Sequence, residues 1–168
     1  VSDLGRLLLH AGASSQAIPI LQEAVGLCEA LVEKEGGKPW ESLLATGDHT
    51  KASSELGNLS ATMGDLANAL SSAGQHDEAL EVAEKCVSIQ TARGSQRDVA
   101  ATHGRCASIL MAAGRHDEAD ARYELALAAA RQAGDKELEG ITFQHQGSLA
   151  VNRRQFTRAA TLYQQALQ

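Results

Sequence analysis

Aromatic side chains are scarce in this chain, at 3% of residues, with one tryptophan, two tyrosines and two phenylalanines. A globular core of comparable length normally leans on more rings than that, so the packing must rest on small and aliphatic side chains. Proline occurs twice, which leaves long helical stretches uninterrupted. No apolar run approaches a membrane span, and no signal-peptide pattern opens the sequence. Basic excess is also missing. The chain has 15 Lys and Arg against 21 Asp and Glu, a net charge of −6, which disfavours non-specific binding to nucleic acid or to an anionic membrane. Cysteine is sparse too. Cys28, Cys86 and Cys106 make an odd set with no CxxC spacing, the pattern of reduced, buried thiols in a cytoplasmic protein. No Gly-rich phosphate loop is present, because the glycines fall at repeat spacing instead.

What is present is repetition. AGQHDEALEVAEKCV at 73–87 recurs forty residues later as AGRHDEADARYELAL at 113–127. Fainter copies are AGASSQAIPILQEAV at 11–25 and NRRQFTRAATLYQQAL at 152–167. Read by hydrophobic periodicity, each copy is the turn and second helix of a helical hairpin. The hairpins fall at about 1–35, 51–93, 96–133 and 136–168, and short loops make neighbouring helices antiparallel. The expected fold is an all-α solenoid of about eight helices over a single domain, 1–168, in which stacking buries the faces that one hairpin cannot bury alone. The chain begins at Val1 and starts and stops inside apparent helices, so it reads as a fragment of a longer protein.

In the first hairpin, Leu4, Leu7 and Leu8 share one face, Gly12 ends the first helix, and Ser15 is the expected N-cap of the second, with Pro19 in its first turn. Ile18, Leu21, Val25, Cys28 and Leu31 are expected to face inward. The next apolar side is Leu56, Leu59, Met63, Leu66 and Leu70. In the last hairpin Arg154 replaces the turn glycine, and Gln146 stands where Leu66 and Cys106 stand in earlier copies. Residues 36–50 (GGKPWESLLATGDHT) break the period: Gly12 to Gly74 spans 62 residues, whereas Gly74 to Gly114 spans 40. Gly36 and Gly37 end a helix there and Pro39 can open another. Trp40, on this insertion, is either a plug over the gap between hairpins or an anchor for a partner.

In the second helix of each hairpin, small and bulky residues recur at fixed spacing: Ala17, Leu21, Ala24; Ala79, Ala83, Cys86; Ala119, Tyr123, Ala126; Ala159, Tyr163, Ala166. With AGxHDEA at the turn, this resembles the tetratricopeptide repeat. The longer unit is similar to the forty-residue variant of kinesin light chains and bacterial regulators. The family's first-helix tryptophan is replaced by Met63, His103 and Phe143, and its repeat-end proline is missing.

The resemblance implies that the first helices line a concave groove. By position, that groove carries Asp65, Asn68 and Ser72 from the second hairpin, and Arg105, Ser108 and Met111 from the third. Gln144, His145, Ser148 and Asn152 come from the fourth. Amide side chains pair with an extended peptide backbone, and Arg105 suits a carboxylate by a two-pronged contact. A face turned to water must be polar in any case. Only Arg105 is basic among these ten, so the Lys/Asn-rich clamp for chaperone C-termini is not expected.

His76, Asp77, Glu78 and His116, Asp117, Glu118 have metal-ligand chemistry, but acidic residues at a helix start also complement its dipole. No metal or cofactor is expected. His10, His49, His103 and His145 have no Ser or Cys at motif spacing, so no catalytic centre is expected either. The expected function is a non-catalytic protein-interaction scaffold that takes a peptide or partner helix in its groove, without nucleic acid or membrane. Alternatives are a self-association module, joined through Leu4, Leu7 and Leu8 at one end and Leu162 and Leu167 at the other, or a sensor of a small molecule or peptide coupled to an effector.

Overall fold

Glycine and the left-handed turn set the architecture. A helix that runs into a residue of positive φ must stop, because the next backbone N–H turns back to cap the last carbonyls. In the computed structural model, which describes residues 1–47 and 50–167, this happens at Gly12 (φ 76°), Gly74 (83°), Gly114 (75°) and Arg154 (59°). Each time the following N–H bonds back across the turn: Ala13 to the Leu8 carbonyl, Gln75 to Leu70, Arg115 to Leu110 and Gln155 to Ala150, at 2.8–2.9 Å. His49, with Asp48 and Gln168, lies outside the described residues.

The chain divides into two units, Val1–Gly94 and Ser95–Gln168. The first holds α1 (Ser2–His10), α2 (Ser14–Gly36), α3 (Trp40–Thr46), α4 (Ser53–Ser72) and α5 (His76–Arg93). Helices α1 and α2 form one hairpin, α4 and α5 another, and α2 packs along α4. The insertion becomes α3, a short helix beyond the eight expected, and it lies against α2 and α5. It therefore joins the side of the second helices. Trp40 is buried with Val32, Leu43, Leu56, Leu59, Met63, Cys86 and Ile89, and its indole N–H donates to Glu29 Oε1 at 3.2 Å. The ring is a core plug, and the anchor reading of Trp40 fails on its burial.

The second unit holds α6 (Gln96–Ala112), α7 (His116–Ala133), α8 (Lys136–Asn152) and α9 (Phe156–Gln165). Its first helices open on side-chain caps forty residues apart: Ser95 Oγ accepts from the Asp98 N–H, and Asp135 Oδ1 accepts from the Leu138 N–H at 3.0 Å. The core is small-residue packing, with Val99 and Ala100 on Ala129 and Ala130. A second cluster holds Leu127, Phe143, Ala150, Ala159 and Leu162. Every described element is helix; no strand occurs among the described residues.

Several local expectations are corrected. Ser15 is not the N-cap of α2; the cap residue is Ala13 and no side chain bonds there. All four second helices begin two residues after the left-handed residue, so the turn fixes their start. Pro19 consequently sits in the second turn, on the exposed side. Leu31 is exposed and Val32 buried, because an eleven-residue step from Leu21 completes about three turns and a ten-residue step does not. Leu162 is buried in its own hairpin, leaving Leu167 exposed at that end.

Candidate functional site

The first-helix face of the second unit is built around a residue that comes from behind it. Tyr123 of α7 is fully buried between α6 and α8. Its hydroxyl meets Ser108 Oγ of α6 at 3.3 Å, and His145 of α8 approaches its ring edge-on, 5.8 Å between centroids. Burial pushes the phenol above its ordinary pKa, and the Ser108 hydrogen bond offsets part of that. A neutral phenol can both donate and accept. The motif repeats in α9, where Tyr163 meets Ser148 Oγ at 3.2 Å. Ser108 and Ser148 also donate back to the Gly104 and Gln144 carbonyls. Both serines and His145 are thus committed in part to holding the tyrosines that set the spacing of the face.

Gln144, His145, Ser148 and Asn152 are exposed, while Arg105, Ser108 and Met111 are half-buried. Arg105 differs from five other arginines of its unit. Arg97 pairs with Asp135, Arg115 with Glu118, Arg131 with Glu139, Arg153 with Asp117 and Arg158 with Asp120. Arg105 has no ion-pair partner among the described residues. Beside it, Gly104 leaves space: a methyl group there would meet nothing within 4 Å. Among the ten expected residues, this pairing of a half-buried, uncompensated guanidinium with open volume is the strongest recognition feature.

In the first unit, Asn68 and Ser72 are exposed, but Asp65 is spent internally. It accepts from Arg6 Nε of α1 at 3.0 Å, across 59 residues of sequence. The structure therefore brings Ser108 and His145 together through Tyr123 and removes Asp65 from the set free to bind. In the sequence, Tyr123 is legible only as the bulky position of the small-large spacing, and Gly104 carries no signal.

The His-Asp-Glu triplets lie in the first turns of α5 and α7. Glu118 is held by Arg115 at 2.6 Å, which lowers its pKa, and Asp117 by Arg153 at 2.7 Å. Glu78 accepts from the Gln75 amide. No group of three metal-ligating side chains occurs among the described residues. A cavity of about 260 Å³ opens where α7 ends and α8 begins, lined by Arg131, Lys136, Glu139 and Phe143. Glu139 bonds Lys136 at 2.8 Å and faces Arg131, so one carboxylate is shared between the two cations there. No described helix is long and apolar enough to cross a membrane.

Residues 59–94 and 102–137 each match a family model described as tetratricopeptide repeat. Both stretches are tetratricopeptide repeats. Among solved structures, the chain is similar to the nearly identical TPR-like repeats of a Podosopora anserina protein assigned as a kinesin light chain: 20% identity, TM-score 0.71, covering 98% of this chain and 71% of that one. A point variant of the same protein gives 21% identity, TM-score 0.71 and coverages of 98% and 70%. BtubC (BKLC) from P. vanneervenii gives 20% identity, TM-score 0.59 and coverages of 99% and 68%. At these identities the likeness speaks for the fold, and the fold is the expected one: all-α, built of tetratricopeptide hairpins. No curated protein sequence gives a significant match. Tetratricopeptide repeats serve generally as scaffolds for protein–protein interaction rather than as catalysts, which gives the coarse function of this chain.

Proposed function

We propose that this domain is a non-catalytic, cytoplasmic scaffold that binds an extended protein segment bearing a carboxylate on the α6–α8 face. The single observation that carries the reading is Arg105, half-buried and without an ion-pair partner among the described residues, in a unit where five other arginines are answered by the unit's own carboxylates. A partly desolvated guanidinium gains most from an acidic side chain that meets it with two oxygens. Gln144, exposed on the next first helix, supplies both donor and acceptor for a peptide backbone. Acidic excess over the chain as a whole speaks against nucleic acid and anionic lipid as partners. Three free cysteines, two of them buried, suit a reducing compartment.

The test is a peptide-array screen with acidic, neutral and basic extended peptides. Hits are then titrated against the wild type, Arg105→Ala and Asn68→Ala. Acidic peptides should bind, and Arg105→Ala should weaken them by roughly tenfold to a hundredfold, as for a charge-assisted hydrogen-bond pair. Equal binding by wild type and Arg105→Ala would remove Arg105 from the site and the carboxylate preference with it.

A further inference from the structure

Glycine weakens a helix interior, because its bare backbone loses more freedom on folding than alanine does. In three helices a close neighbour explains the glycine. A Cβ on Gly5 would come within 2.6 Å of Leu21, on Gly57 within 3.0 Å of Arg93, and on Gly147 within 2.7 Å of Tyr163. Gly104, in the middle of α6, has no such neighbour, since nothing lies within 4 Å of the missing methyl. Gly26 of α2 is equally unhindered, but it is exposed, whereas Gly104 is half-buried. Half-burial with a free Cβ direction describes a hollow in the face of α6.

The surroundings of the hollow belong to the second unit. Ser108, one turn on and on the same side of α6, donates to the Gly104 carbonyl at 3.0 Å and meets the Tyr123 hydroxyl at 3.3 Å. Tyr123 is buried between α6 and α8, so this side of α6 turns toward α8. Arg105 follows Gly104 directly. Gln144 occupies the same place in α8, forty residues on, and is exposed.

We propose, resting on the carboxylate reading of Arg105, that the main chain of the bound segment crosses α6 at Gly104. With its acid on Arg105, the segment lies against bare helix backbone and continues to Gln144, whose amide offers a donor and an acceptor to a peptide unit. Packed helices lie about 10 Å apart, a distance that about three residues of extended chain cover. A methyl group at position 104 stands in that path, so Gly104 is a specificity-determining residue. Because the contact is with main chain, it does not depend on the side chains that flank the acid.

The test titrates wild type, Gly104→Ala and Gly26→Ala with the tightest acidic peptide of the array, and with versions of it carrying alanine on either side of the acid. Both variants should melt at a higher temperature than wild type, since each replaces an unhindered helix glycine by alanine. Gly104→Ala should weaken every peptide roughly tenfold, as overpacking of a filled site does. Gly26→Ala should leave each affinity unchanged. Unchanged binding by Gly104→Ala would overturn the inference. So would a loss that vanishes with the alanine-flanked peptides, because a side chain would then fill the hollow. A lower melting temperature for Gly104→Ala would make the glycine a packing requirement, and an equal loss in Gly26→Ala would make the effect one of helix stiffness; either result also sinks it. Arg105→Ala separates the two readings. If it weakens the peptide and Gly104→Ala does not, the carboxylate site stands and the path over Gly104 falls; if no acidic peptide binds wild type, both fall.

Discussion

The two units build the same hairpin with different fillings. At the open end of the α4–α5 hairpin the contact is polar: Gln90 donates to Ser60 Oγ at 3.0 Å, and Arg93 donates to Gln90 Oε1 at 2.7 Å and to the Ser53 carbonyl. At the same register in α6 and α7 stand Ala100 and Ala130, packed without polar atoms. At the bulky position of the second helix the first of these hairpins has Ala83 and the second Tyr123, both fully buried. The first unit holds 13 acidic and 6 basic residues, the second 8 and 9. One backbone plan thus tolerates a bonded polar plug or a dry contact of methyl groups. The requirement is filled volume with satisfied polar atoms, not a particular residue.

The largest effect should come from the side chain with no counterpart in the second unit. Trp40→Ala should cost about 3–5 kcal/mol, the usual penalty for emptying a buried aromatic site, and the loss should be confined to the first unit. The only tryptophan lies there and both tyrosines lie in the second unit, so wild-type denaturation can be followed by separate fluorescence signals. Circular dichroism follows the variant. A variant that loses no helical stability would mean that α3 is dispensable.

Gln90→Ala comes next. It takes the amide donor from Ser60 and one of the acceptors from Arg93, and should destabilise by about 1–3 kcal/mol, the cost of a buried hydroxyl losing its partner. The double change Ser60→Ala with Gln90→Ala copies the dry contact of the second unit and should recover part of that loss in urea titration. If the double variant is the weaker of the two, the comparison between the fillings is wrong.

Gln146→Leu should go the other way. The Gln146 side chain is buried with its Oε1 unpartnered, where α4 has Leu66. Removing that acceptor should stabilise by about 1 kcal/mol, net of the lost bond to Glu124. Arg154→Gly should give a similar or smaller gain, because a left-handed backbone costs a residue with a Cβ about 1–2 kcal/mol and glycine recovers only part of this after its own entropy loss. A fall in melting temperature for either variant would contradict the assignment.

The smallest effect is electrostatic. Hydrogen bonds from Arg115 and Lys136 hold the Glu118 and Glu139 carboxyls below their ordinary pKa. Their folded values lie below their unfolded ones, so the contribution is present above the usual carboxylate range and is lost as pH falls through the lowered values. Both groups belong to the second unit, so acidification should erode the tyrosine signal through these pairs. Glu118→Gln should flatten that dependence.

Much of this is readable without coordinates. The boundaries of α5 and α7 follow from AGxHDEA, because a positive-φ residue two positions before His76 and His116 leaves the helix one place to start. Arg154 is visible as an irregular turn residue, and Gln146 as a polar intruder in an apolar column. Trp40 keeps two readings in the sequence, since a ring on an insertion looks alike whether it faces Met63 or water. Leu31 is misplaced by sequence spacing because a three-residue step from Cys28 fits the helical pattern as well as a four-residue one does, and over the 23 residues of α2 such errors accumulate.

By itself, the sequence determined the local grammar: which segments coil, where each must turn, and which side of each helix is small enough for another to lie against it. These depend on residues within a few turns of one another. Tertiary structure alone decided how the polar face is divided. Asp65 is occupied by an arginine 59 residues away, His145 braces Tyr123 from another helix, and Arg105 is left over. Charges and rings choose among neighbours only after the chain has brought those neighbours together, and spacing along the sequence does not record that choice.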